Sequence, residues 1–272
     1  MEIVVLSPSQ AVIETSKAIV KHGREYSPRG LRTKEIRDFT IIIEQPTRLP
    51  LVVGGRDLTD FIGAAEAVQL IGQFSDSDWM VQNVKAFDQF RDGNILWGAY
   101  GPRVHGMLDE LVKLLRDDPS SRQAILSIYH SPTDLGREKK DTPCTLSLQF
   151  FVRDSQLHGR CSMRSNDAWL GLPYDLVQFI SVTGAIAAAL DLQVGTYTHT
   201  VGSVHVYERH FEQLSIVASS KPTGHGYRDK LFTSRDISKI TRDCRLMATN
   251  PGALEKSALC EYETWLLESV NP

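Results

Sequence analysis

Residues 143–175 read PCTLSLQFFVRDSQLHGRCSMRSNDAWLGLPYD. Within them Thr145–Arg153 is aromatic and partly alternating, Asp154-Ser155 supplies a two-residue turn, and Leu157–Met163 reads as a returning strand. This hairpin runs through Arg164-Ser165-Asn166-Asp167 into residues 174–190, an apolar, alanine-rich run whose length and flanks favour a helix. Thr196–Tyr207 then returns to β-branched and aromatic residues. Upstream, apolar spacing predicts helices over 10–23, 58–70 and 107–115, the last ended by Asp117-Asp118-Pro119 before a strand-like 123–129. A basic loop over 24–37 is expected to precede a strand at Thr40–Ile43, and Met1–Leu6 reads as a first strand or the lead into a helix. The sum is a mixed α+β fold. No internal repeat, low-complexity segment or linker divides the chain, so one domain over 1–272 is expected.

The chain has 272 residues, 42% hydrophobic and 23% charged, which is globular composition and excludes collagen-like, disordered and coiled-coil classes. A net charge of -3 gives no overall attraction to nucleic acid or an anionic membrane, and neither is expected as a partner; any anionic ligand is small and locally held. The N-terminus lacks a secretory pattern and no stretch approaches 20 uninterrupted apolar residues, so a cytoplasmic protein is expected. Four cysteines with no CxxC pair argue for free thiols, and no metal site is expected.

Cys144 opens a strand directly after the charged loop 137–141, where a thiol can meet a substrate. A lone cysteine is more often packing than chemistry, and reactivity requires positive charge or donors close by. The run Arg164-Ser165-Asn166-Asp167 provides a guanidinium, a hydroxyl, an amide and a carboxylate in succession; a surface turn is the competing reading. His205 and Tyr207 lie two apart in a strand and project to one face, suited to a sugar hydroxyl or to ordinary packing. Glu66 sits inside an otherwise apolar helix, where desolvation would raise its proton affinity unless it faces solvent.

The order PCT, strand, MRSNDAWLGLPYD, helix, VGSVHVYERH resembles the thymidylate synthase superfamily, which alkylates pyrimidine nucleotides at C5 with 5,10-methylenetetrahydrofolate. The likeness is most specific over 143–210, moderate over 58–127 and poor in about the last fifty residues. It implies a thymidylate synthase-like domain with a mixed sheet packed by helices and one sheet face at a homodimer interface. It implies Cys144 as the nucleophile at pyrimidine C6, Glu66 as the buried carboxyl that organises water and proton transfer and positions the water that adds to C5's methylene, Tyr100 as assisting proton removal from C5, and Asp167 as the pterin contact. Arg164 and Ser165 match the phosphate contacts and His205 and Tyr207 the sugar contacts, while Arg122 would reach the phosphate of the neighbouring subunit. The family commonly has two successive arginines there, whereas this chain has Arg122-Gln123. A further phosphate contact falls on Arg29 or Arg32, with Arg29 favoured.

Two departures from thymidylate synthase point to another base. Asp175 stands where those enzymes have asparagine, and a carboxyl suits the N4 donor and N3 acceptor of cytosine better than the edge of uracil. Thr145 follows the nucleophile where histidine is usual. Both features resemble the cytidylate and deoxycytidylate hydroxymethylases, so the expected product is 5-hydroxymethyl-(d)CMP, with water rather than hydride completing the reaction. Leu266–Pro272 lacks the short apolar ending that closes thymidylate synthase, which agrees with water. The alternatives are a thymidylate synthase, a dUMP hydroxymethylase, or a catalytically silent nucleotide- or RNA-binding relative. The sequence leaves dCMP and CMP undistinguished.

Overall fold

The computed structural model describes residues 1–136 and 138–271. Its strands are β1 (Glu2–Val5), β2 (Arg24–Tyr26), β3 (Thr33–Ile43), β4 (Leu51–Val53), β5 (Arg91–Asp92), β6 (Ile95–Leu96), β7 (Ile125–Ser127), β8 (Thr145–Arg153), β9 (Gln156–Met163), β10 (Asn166–Asp167), β11 (Gln193–Tyr207) and β12 (Pro222–Gly224). Its helices are α1 (Pro8–His22), α2 (Asp60–Ile71), α3 (Ser77–Asn83), α4 (Met107–Asp117), α5 (Ser131–Asp134), α6 (Leu172–Ala189), α7 (Phe211–Ala218), α8 (Ile237–Thr249) and α9 (Glu261–Ser269).

The main sheet runs β1-β3-β11-β9-β8-β7, with β2 added to β3 and β10 to β11. β1–β3 and β9–β11 are parallel, whereas β3–β11, β8–β9 and β7–β8 are antiparallel, so the sheet is mixed as expected. Asp154 and Ser155 both adopt positive φ (51° and 60°), the left-handed pair that lets a two-residue turn follow the right-handed strand twist of the hairpin.

α6 is the central helix: nearly every side chain from Leu172 to Ala189 is buried. By length and composition it could cross a membrane, but 94% of that window is buried inside this fold, which makes it a core helix. It approaches β9 closely at Gly159, where an added Cβ would lie 2.5 Å from Thr183 Oγ1. α2 packs along α6, and α8 and α9 close the same side. Tyr262 of α9 is fully buried, with its hydroxyl 2.5 Å from Ser181 Oγ on α6.

One expectation changes here. The stretch 24–37 is not a loop: Arg24 lies in β2, and β3 begins at Thr33, so Lys34 and Arg37 are strand residues. Cross-strand pairing with β11 over ten positions outweighs the poor strand propensity of the charged residues. Only Ser27–Arg32 bridges β2 and β3, through a 3-10 turn at Pro28–Gly30.

Candidate active site

Four expected residues converge on one pocket: Cys144, Glu66, Tyr100 and Asp175 all line it, with Gln178 and Asp141. Its apolar wall includes Phe74, Met80, Phe87, Phe90 and Leu96. Cys144 is half-buried at the start of β8, and its carbonyl accepts from Arg164 N–H at 2.8 Å. The Arg164 side chain folds back to donate to Pro143 O and Thr142 O, both at 2.9 Å, fixing the cysteine loop. Burial pushes the Cys144 thiol up; Arg164 opposes this, and Asp175, Asp141 and Asp167 reinforce it. The resting thiol is therefore neutral, and positive charge near it moderates burial without overcoming it.

Asp175 lies in the first turn of α6 and is 7% exposed. Its Oδ2 accepts from Asn166 Nδ2 at 2.7 Å and its Oδ1 from Gln178 Nε2 at 3.0 Å. Burial raises its proton affinity, the two amide donors resist, and the balance brings its pKa to about 7. Gln178 Nε2 also donates to Glu66 Oε2 at 3.1 Å. Glu66 therefore points into the pocket and not to solvent, and burial, then Asp175 and Asp141, hold its carboxyl well above the carboxylate range.

Behind Asp175 stands His199, fully buried and kept neutral because burial lowers its pKa to about 3. Its Nε2 lies 3.0 Å from Asn166 Oδ1 and its Nδ1 3.0 Å from the Tyr197 hydroxyl. Since Asn166 donates its amide to Asp175, its oxygen must accept, so His199 carries its proton on Nε2 and accepts from Tyr197. The donors thus run Tyr197, His199, Asn166, Asp175. Tyr100, stacked on Phe179 with ring centres 5.9 Å apart, accepts from Thr145 Oγ1 at 3.0 Å. Burial, Asp175 and Cys144 push its hydroxyl well up, so it is a neutral donor.

Asp167 lies beside His205 where β10 pairs with β11. Its Oδ1 caps the N–H groups of Trp169 and Leu170, but its Oδ2 is buried with no hydrogen-bond partner among the described residues. Such an orphan acceptor fits a ligand carrying N–H donors. His205 and Tyr207 meet edge to face, 5.2 Å between ring centres, on one face of β11. Neither they nor Ser165 line the pocket around Cys144, and Arg29 and Arg122 are exposed outside it. Arg32 pairs with Glu25 at 3.0 Å and with Glu208, whereas Arg29, in the turn with φ 54°, makes no ion pair among the described residues. A free guanidinium favours Arg29 over Arg32 for an anion.

Sequence reasoning missed Gln178, His199 and Asp141. Gln178 follows Asp175 by three residues and so shares its helix face, a signal the spacing carried. His199 and Asp141 had none, since each joins the site only through folding.

A hairpin with a pocket-lining cysteine on a mixed sheet, with a carboxyl-bearing core helix closing the pocket, is the architecture of the thymidylate synthases. The thymidylate synthase family pattern matches residues 14–241, and the chain belongs to that family. It is similar to a deoxyuridylate hydroxymethyltransferase of Bacillus phage SP01, 31% identical over 218 residues. That match covers 74% of this chain and 57% of the phage protein, so the chain spans little more than half of that relative's length.

Proposed function

We propose that this chain is a pyrimidine nucleotide C5-hydroxymethyltransferase, and that its base is cytosine, as CMP or dCMP. The observation that carries the choice of base is Asp175, a buried carboxyl with a pKa of about 7 that is available in its neutral form near neutrality. Addition of a thiolate to C6 of cytosine drives electrons through C5 and C4 onto N3. A neutral carboxyl donating to N3 supplies the proton there, and its other oxygen accepts from N4. With uracil the developing charge falls on O4, and an ionised Asp175 beside O4 is repulsive.

Cys144 is the nucleophile. Arg164 orders its loop and, with Arg29 and Ser165, supplies donors for the 5′ phosphate; Arg122, exposed and without an ion pair among the described residues, is read as serving a second copy in a homodimer. His205 and Tyr207 hold the sugar. Tyr100 and Glu66 handle the C5 proton, Glu66 being linked to the base-reading carboxyl through Gln178. The co-substrate in this reading is 5,10-methylenetetrahydrofolate, which supplies the one-carbon unit. The residues fit it: the aromatic wall with Phe87 and Phe90 takes a flat ring, and Asp167, which does not line that pocket, offers a buried Oδ2 as an acceptor for N–H donors. Water then completes the hydroxymethyl group.

A second reading, deoxyuridylate as substrate, is favoured by the name of the phage relative. The two separate by turnover of CMP, dCMP and dUMP with labelled co-substrate in wild type and Asp175→Asn. The cytosine reading expects the cytidylates to lead in wild type and the variant to swing toward dUMP by about 100-fold or more, one or two mispaired buried hydrogen bonds at about 1–3 kcal/mol each. Preference for dUMP by the wild type refutes it. Full biological output from Cys144→Ala would instead indicate a silent nucleotide-binding relative.

A further inference from the structure

Asp141 is a carboxyl in the pocket to which none of the roles above falls. It precedes Cys144 by three residues and lines the same cavity as Cys144, Phe87, Phe90 and Leu96. Its Oδ2 accepts from Gly98 N–H at 3.1 Å, and Oδ1 has no hydrogen-bond partner among the described residues. It forms no salt bridge among them either, although Arg103 and Arg164 are near enough to act on it. Gly98 is cut to receive it: an added Cβ would lie 2.2 Å from Oδ2 and 2.7 Å from Oδ1. The backbone thus makes room for, and donates to, a carboxyl that forms no ion pair among the described residues. Burial raises its proton affinity and Asp92 adds to this, while Gly98, Arg103 and Arg164 resist, which suits a group that must take up a proton.

We propose that Asp141 is the general base of the hydration step, an assignment that rests on the C5-hydroxymethyltransferase reading. Glu66 is less suited to it, because Gln178 ties it to Asp175 and both neighbouring carboxyls favour its protonated form. Once the base carries an exocyclic methylene on C5, with N3 protonated by Asp175, a water oxygen forms the new C–O bond at that methylene. Its proton passes to Asp141, the methylene π electrons shift into a C5–C4 double bond, and the C4–N3 π pair moves onto protonated N3. The N3 pair then restores the C4–N3 double bond, the C5–C4 electrons move to C5–C6, the C6–S bond breaks, and Cys144 leaves as the thiolate. N3 returns its proton to Asp175, and Asp141 releases the water proton to solvent. No oxidant or reductant is needed.

The test compares release of tritium from [5-³H]CMP and [5-³H]dCMP, which reports every step before hydration, with formation of the hydroxymethyl product. In wild type the two are equal. In Asp141→Asn product formation is expected to fall about 100-fold, the usual size of a general-base contribution, while tritium release falls less than about tenfold. Added 2-mercaptoethanol then accumulates as a thioether at the methylene. Gly98→Ala, which displaces the Asp141 carboxyl without altering it, shifts the ratio of the two rates the same way. A parallel loss of both signals in Asp141→Asn, or product formation within about threefold of wild type, overturns the assignment. Absence of tritium release from the wild type with cytidylates and with [5-³H]dUMP overturns the C5-transferase reading, and this assignment with it.

Discussion

Replacing Asp175 by asparagine should change the pH dependence of stability in a calculable way. In the folded protein burial carries the Asp175 pKa from 3.8 to about 7, against the resistance of Asn166 and Gln178. The folded state then binds a proton more tightly than the unfolded chain, so between about pH 4 and 7 the native state holds more protons and stability falls as pH rises. At about 1.4 kcal/mol per pH unit, the rise amounts to about 4 kcal/mol, fully present as a penalty above pH 7 and absent below pH 4. Asparagine cannot ionise and escapes that penalty. Its amide needs an acceptor, which a flip of the Gln178 amide provides at the cost of its hydrogen bond to Glu66. Urea denaturation of wild type and Asp175→Asn at intervals from pH 4 to 8.5 measures the difference directly, because groups shared by both cancel. The variant should gain on the wild type by up to about 1.4 kcal/mol per pH unit through this window and then level off. Loss of the Asp175 charge also eases ionisation of Glu66 and acts in the same direction. A difference that stays flat from pH 4 to 8.5 would show that Asp175 is an ordinary ionised carboxylate, and the case for cytosine built on its neutral form would fall with it.

Two further outcomes test the frame around the pocket. Asp134, whose side chain is wholly buried, accepts from Arg103, His130 N–H and Trp97, and these overcome burial to pull its pKa down to about 2. Its contribution is present above about pH 4 and lost as pH falls toward 2, so Asp134→Asn should be destabilised by about 3 kcal/mol at pH 7, where Arg103 loses its partner, and should lack the wild-type acid limb in denaturation profiles. Arg164→Gln should slow iodoacetamide alkylation of Cys144 at pH 8 by about tenfold, with the site resolved from half-buried Cys260 by peptide mass mapping. Faster alkylation would mean that the guanidinium shields the thiol more than it charges it.

The local sequence was enough for elements whose period and punctuation agree. The hairpin of β8 and β9 with its Asp154-Ser155 turn, the helices α2, α4 and α6, and the long strand β11 fall close to where alternation, helical spacing and breakers put them. Motif order likewise picked out Cys144, Glu66, Tyr100 and Asp175, which line one pocket. The first half of β3, ahead of the expected strand at Thr40–Ile43, escaped because its charged residues become strand only when β11 lies alongside. Asp141 reaches the pocket through a glycine 43 positions away, and His199 supports Asp175 through Asn166, 33 positions from it. The sequence by itself determined the family and singled out Cys144 and Asp175 as the candidates for nucleophile and base contact. Only the tertiary structure decided which carboxyls are buried enough to hold a proton and which stands in the pocket with the thiol, because proton affinity depends on desolvation and on donors that the fold gathers from distant segments.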